Sequence, residues 1–103
     1  MPAKIQMLAA AVLTEAADCL KVMAHPVRLR IADILMQERV TVGTIAKLCK
    51  LPPSQASEHL RLMKACGLLD AAREGRAVYY RIANPSLPGL IRCIRNTCGK
   101  AAH

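Results

Sequence analysis

The sequence predicts a mainly α chain that carries one small β-hairpin, and three observations predict it. Successive segments repeat apolar residues at helical spacing, each bounded by proline, glycine or a small polar residue. One pair of short alternating runs flanks Glu74-Gly75, the pattern of two strands joined by a tight turn. The chain has 103 residues, 53% of them apolar, with no repeats, low-complexity stretches or long linkers, so residues 1–103 are expected to form one domain around one core.

The first helix is expected over Ile5–Met23, with Leu13, Ala16, Ala17, Leu20 and Met23 along one face. His25-Pro26 ends it, because the residue before proline avoids helical geometry while proline suits the first turn of a new helix. That second helix, Val27–Gln37, would bury Val27, Ile31, Ile34 and Leu35. Val40-Thr41-Val42 is read as extended, with Thr44 capping a short helix Ile45–Lys50 that carries Ile45 and Leu48. Leu51-Pro52-Pro53 makes a tight connection into the helix Ser54–Cys66, and Gly67 is its left-handed stop. Strands Leu68–Arg73 and Arg76–Ile82 follow, with Val78, Tyr80 and Ile82 alternating. Asn84-Pro85 caps and opens a last helix through about Cys98. Helix, helix, helix-turn-helix, hairpin, helix is the order of a winged helix-turn-helix.

Charge points to the partner. Fifteen Lys and Arg against seven acidic residues give +8, which suits a polyanion. Tyr79 and Tyr80 are the only aromatics, too few to stack successive bases of a single strand, so duplex DNA is the better partner. No apolar stretch approaches the ~20 residues of a membrane span, and the basic residues are spread over several elements rather than along one amphipathic helix. On the Ser54–Cys66 helix, Ala56, Leu60 and Met63 form the buried stripe, edged by His59, Leu62 and Cys66. Ser54, Ser57, Arg61 and Lys64 lie opposite, flanked by Gln55 and Glu58. Small polar residues at a helix N-terminus reach base edges in a major groove, and basic groups meet phosphates. Glu58 either accepts from a cytosine amino group or repels wrong registers, and His59 either packs or touches DNA. Arg73 and Arg76 flank the hairpin tip as a basic wing for the minor groove or its phosphates.

The run from Leu20 to Ile82, LKVMAHPVRLRIADIL through LPPSQASEHLRLMKACGLL to REGRAVYYRI, resembles the ArsR/SmtB family of bacterial winged-helix repressors. The likeness covers essentially the whole chain. It implies a homodimer joined through its first and last helices, bound to an imperfect palindromic operator and released by an inducer. One departure stands out: Pro52-Pro53 replaces the family's frequent Ser-Gln, so Gln55 is expected to take over the contact of the missing glutamine.

The family's metal sites are mostly absent. Val40 and Val42 stand where the arsenic-type C-x-C would be, and Leu87–Cys98 holds neither Asp nor His for a zinc- or cobalt-type set. HLRLMKACG keeps Cys66 of the cadmium/lead-type pattern but has Leu62 for the second thiol, so Cys66, like Cys49, is read as a small core residue. Cys19, Cys93 and Cys98 remain as sensor thiols. On an intact helix Cys93 and Cys98 would have Cα atoms roughly 8–9 Å apart, beyond the ~7 Å a disulfide tolerates, so any pairing needs another thiol or local unwinding near the chain end. The resemblance, in which first helix packs against last across the dimer, implies Cys19 as the economical partner. The family's sulfide- and redox-responsive branch also places a cysteine near Cys98, but its partner falls at Asp33 here. Two signals stay open: oxidant or reactive sulfur at Cys98 with Cys93 or Cys19, and arsenite or another soft metal held by Cys93, Cys98 and a third thiol.

Cysteine usage argues against an oxidised scaffold, since the count is odd and no C-x-x-C occurs, and no convincing signal peptide is present. A cytoplasmic protein with reduced thiols is expected. DNA binding itself would require no cofactor. No nucleophile, base or phosphate-cradling loop suggests an enzyme. A DNA-binding module that only shapes DNA, without regulation, is the remaining alternative.

Overall fold

The computed structural model describes residues 4–98. Its order is α1 (Ala10–Met23), α2 (Pro26–Gln37), α3 (Val42–Cys49), α4 (Pro53–Ala65), β1 (Leu69–Glu74), β2 (Ala77–Ile82) and α5 (Leu87–Thr97). The predicted winged helix-turn-helix is therefore what forms, with boundaries that shift where capping differs from expectation.

Helix α1 begins at Ala10, five residues later than expected, because nothing before it offers a cap: Ala9 stands at the N-cap and makes no side-chain bond. At α2 the interruption falls where predicted, and His25 is itself the cap, its Nδ1 accepting from the Val27 N–H at 3.1 Å ahead of Pro26. Thr41, rather than Thr44, caps α3: its Oγ1 accepts from the Thr44 N–H at 3.2 Å, so Val42 is already helical. Lys50 then ends α3 in the left-handed region at φ 57 instead of being its last helical residue. Pro52 caps α4 through its carbonyl, which accepts from Gln55 and Ala56 N–H, and Pro53 fills the first turn. Gly67, at φ 77, closes α4 as expected, with its own N–H on Lys64 and that of Leu68 on Met63. Before α5, the Asn84 side chain accepts from Ser86 N–H at 2.8 Å. This turn delays the helix to Leu87, with Pro88 instead of Pro85 in its first turn.

The two strands pair antiparallel from Leu69↔Ile82 to Glu74↔Ala77, leaving Gly75 and Arg76 as a two-residue turn. Gly75 has φ 62 while Arg76 does not have a positive φ, the pattern of a type II′ hairpin, which accounts for glycine at that position. An isolated bridge from Thr41 to Tyr79 adds a fragment of a third strand.

The core gathers Ile31 from α2, Ile45 from α3, Leu60 and Met63 from α4, Leu69 from β1, Tyr80 from β2, and Leu87 and Ile91 from α5. Ala56 is buried beside Leu60 and Met63, so the predicted stripe of α4 holds, although Leu62 at its edge is exposed. Leu48 is also exposed, contrary to its expected place beside Ile45. On α2 only Ile31 and Ala32 are fully buried, with Val27, Ile34 and Leu35 partly so. On α1, Met23 alone is buried; Leu13, Ala16, Ala17 and Leu20 of the predicted face stand in solvent. The radius of gyration, 16.0 Å, exceeds the about 13 Å of a compact chain of this length.

Candidate nucleic-acid interface

Proline at N1 and a buried Ala56–Leu60–Met63 stripe fix both the start and the rotation of α4. With that stripe inward, Ser54, Gln55, Glu58, Arg61 and Lys64 are all exposed. Ser57 is half-buried and shares a surface hollow with Thr41 and Gly43 of the α3 start and with Arg76 and Val78 of the hairpin. Ser57 of α4 and the hairpin arginine Arg76 therefore border one concavity, which sets the helix and the wing side by side. Arg73 and Arg76 are exposed at the wing, as the sequence led us to expect.

His59 has the partners expected of the packing role, one of the two read for it, and is half-buried. Its Nδ1 accepts from Arg28 Nε at 3.1 Å, and its ring lies 4.8 Å from that of His25. Burial, the neighbouring Arg28 charge and His25 push the His59 pKa below its ordinary value. Arg28 also donates from Nη1 to the Val22 carbonyl at 3.0 Å, so one guanidinium joins the end of α1 to the middle of α4.

Arg39 was not singled out by the sequence. It pairs with Glu74 at 2.5 Å and lies 4.0 Å over the Tyr79 ring. The loop after α2 thus holds the tip of β1 and the middle of β2 together, and the Thr41–Tyr79 bridge reinforces the same edge. No local pattern announces Arg39, because its partners are brought to it only by the fold.

Among the sensor thiols, Cys93 and Cys98 are exposed and free, while Cys19 is half-buried with its Sγ donating to the Cys66 carbonyl at 3.5 Å. Burial raises the Cys19 pKa, helped by Cys66, Glu15 and Asp18. Cys49 is half-buried, and burial raises its pKa too. Asp33, where a second-helix cysteine would complete a redox pair, is instead ion-paired with Arg95 of α5. Among the described residues no three His, Cys, Asp or Glu side chains are grouped to hold a metal ion, and no helix is long and apolar enough to cross a membrane.

A helix with small polar residues at its start and basic residues beyond, set beside a basic hairpin, defines a winged helix-turn-helix DNA-binding protein. A family model described as a helix-turn-helix domain matches residues 23–70. The transcriptional repressor PagR of Bacillus anthracis is 39% identical over 83 residues, covering 80% of this chain and 83% of PagR. Its crystal structure superposes with a TM-score of 0.73 over 84% of this chain and 99% of that one, at 36% identity. A homodimeric winged helix-turn-helix DNA-binding domain from Mycobacterium bovis, described as a possible ArsR-family transcriptional regulator, gives a TM-score of 0.79 at 33% identity, over 95% of this chain and 91% of that one. The chain belongs to the ArsR/SmtB family of winged-helix transcriptional repressors. Its relatives are regulators of transcription and not enzymes.

Proposed function

We propose that two copies of this chain clasp an imperfect palindromic operator, with Ser54, Gln55, Ser57, Glu58, Arg61 and Lys64 at the major groove and Arg73 and Arg76 on the flanking phosphates or minor groove. The observation that carries this reading is the shared concavity of α4 and the wing, where Ser57 and Arg76 line one hollow. Ser54 and Gln55 sit at the helix start, where the backbone dipole also favours phosphate. Gln55 stands in for the glutamine that Pro53 displaces. Such a protein works where the DNA is, in the cytoplasm.

Dimerisation has its own support. Val12, Leu13 and Leu20 of α1 are about half exposed or more, and Val12 and Leu20 border, with Leu87 and Leu90 of α5, an apolar groove that includes Met23. A second copy covers such a face by two-fold symmetry, and the M. bovis relative is a homodimer.

Release by a cysteine-borne signal, oxidant or reactive sulfur acting at Cys98 with Cys93 or Cys19, completes the reading. The exposure of Cys93 on α5 and of Cys98 at its end, with Cys19 lining the groove proposed for dimerisation, favours it over a metal, which would need donors from beyond the described residues of one chain. A bond or adduct there alters the spacing of two α4 helices that must sit about 34 Å apart on DNA.

Fluorescence anisotropy on the DNA upstream of its own gene, in chelator, tests all of this. The reduced protein is expected to bind tightly, and a persulfide donor or mild oxidant to weaken binding at least about tenfold, ~1.4 kcal/mol, reversibly with reductant. Equal affinity in both states would sink the thiol signal, and failure of the reduced protein to bind would sink the repressor reading.

A further inference from the structure

Cys19 and Cys66 come from the two ends of the DNA-binding half of the chain, and the fold brings them together. Cys19 lies in the third turn of α1, and Cys66 is the C-cap of α4. The Cys19 thiol donates to the Cys66 carbonyl oxygen at 3.5 Å, and both side chains line one open hollow with Thr14, Glu15, Asp18 and Ala65. A carbonyl oxygen sits beside its own residue's Cβ, so a sulfur held on it is about one rotamer change from that residue's sulfur. Both thiols are free and half-buried. Cys66 closes the helix at φ −84 and ψ 1, its N–H still on the Leu62 carbonyl, and Gly67 follows in the left-handed region, so the ladder ends at this residue. By contrast, Cys93 and Cys98 sit five residues apart on an intact helix.

We propose that Cys19 and Cys66 form a dithiol pair that a peroxide oxidises to a disulfide within one chain, stapling α1 to the end of the recognition helix. Cys66 attacks the peroxide oxygen; the O–O bond breaks, Cys66 becomes a sulfenic acid and water leaves. Cys19 then attacks the Cys66 sulfur; the S–S bond forms, the S–O bond breaks and a second water carries away the thiol proton. The two sulfurs together lose two electrons, which the peroxide gains. Cys19 acts second because its burial and the carboxylates of Glu15 and Asp18 hold it protonated. The bond joins the helix that carries the proposed dimer face to the helix that faces DNA.

Whether the bond forms does not depend on the repressor reading, although its consequence for operator binding does. The test therefore reads the bond directly. Reduced full-length protein is treated with hydrogen peroxide, alkylated, digested with trypsin without reductant, and mapped by mass spectrometry. The expected product links peptide 5–21, which holds Cys19, to peptide 65–73, which holds Cys66, in material that runs as a monomer on a non-reducing gel. The link should survive in the Cys93→Ser/Cys98→Ser protein and vanish in Cys19→Ser and, separately, in Cys66→Ser. Cys19→Ser keeps a donor for the Cys66 carbonyl at a half-buried position, so its fold does not hang on the substitution. The proposal is overturned if Cys19 is found joined to Cys93 or Cys98, if the only bond joins two chains, or if Cys19 and Cys66 are both alkylated in the Cys93→Ser/Cys98→Ser protein after peroxide. Anisotropy of the same reduced preparation on duplex DNA tests the repressor reading independently of that map.

Discussion

In the proposed interface Arg61 and Arg76 are the groups set to meet phosphates, one on α4 and one at the hairpin turn, and both are exposed. Replacing either with alanine is expected to weaken operator binding and to lower the slope of log affinity against log salt by about one, since a phosphate left without its arginine keeps about one more counterion. Titrations over a range of salt would show it, and unchanged slopes in both variants would remove these residues from the interface. His59 acts on stability instead. Its folded pKa lies below the ordinary 6.5, so just below that pH the unfolded chain takes up a proton that the folded chain refuses. Stability from this site is present above 6.5 and is lost as pH falls through the folded value. Chemical denaturation from pH 8 to 5 should show that fall for the native protein and a shallower one for His59→Gln, which keeps an acceptor without the titration. Arg28 and His25 were invisible as partners of His59 in the sequence, because they lie on or just before another helix and meet it only in the fold.

Among the elements, the wing depends most on long-range support. A two-stranded hairpin is marginal by itself, and here the loop residue Arg39 ties Glu74 to Tyr79 while Thr41 bridges the same edge. Because Arg39 and Glu74 are each 56% exposed, Arg39→Ala should cost the fold no more than about 1 kcal/mol. Its larger effect should be on DNA: hydrogen exchange at β1 and β2 is expected to quicken, and operator affinity to fall more than global stability does. Normal exchange in the hairpin would mean the wing holds its own position. The boundaries of elements were legible where backbone chemistry is local, as at His25-Pro26, Pro52-Pro53 and Gly67. They were misplaced at α1, where no residue offers a side-chain cap, at α3, where Thr41 rather than Thr44 caps, and at α5, where the Asn84 turn precedes the helix.

Over the whole molecule, the exposed face of α1 is the main unsettled surface of a single chain. Val12, Leu13 and Leu20 are 49%, 51% and 59% exposed, so a partner that covers what remains open adds roughly half of the 1.5–3 kcal/mol that full burial of such a side chain is worth. Leu13→Glu with Leu20→Glu is therefore expected to give monomers by sedimentation, to remove the dependence of Tm on protein concentration, and to reduce operator affinity with the helix-turn-helix intact. A variant that remains dimeric would place the interface elsewhere. The winged helix-turn-helix and the buried stripe of α4 were written in the sequence, as were the basic groups on which the proposed interface rests, because periodicity, proline, glycine and charge act over a few residues. Packing in three dimensions was needed to set His59 on Arg28, Arg39 against the wing and Cys19 beside Cys66. Each of those pairs joins residues far apart in the chain, and their spacing carries no periodic signal, because only the docking of separate elements sets the distance between them.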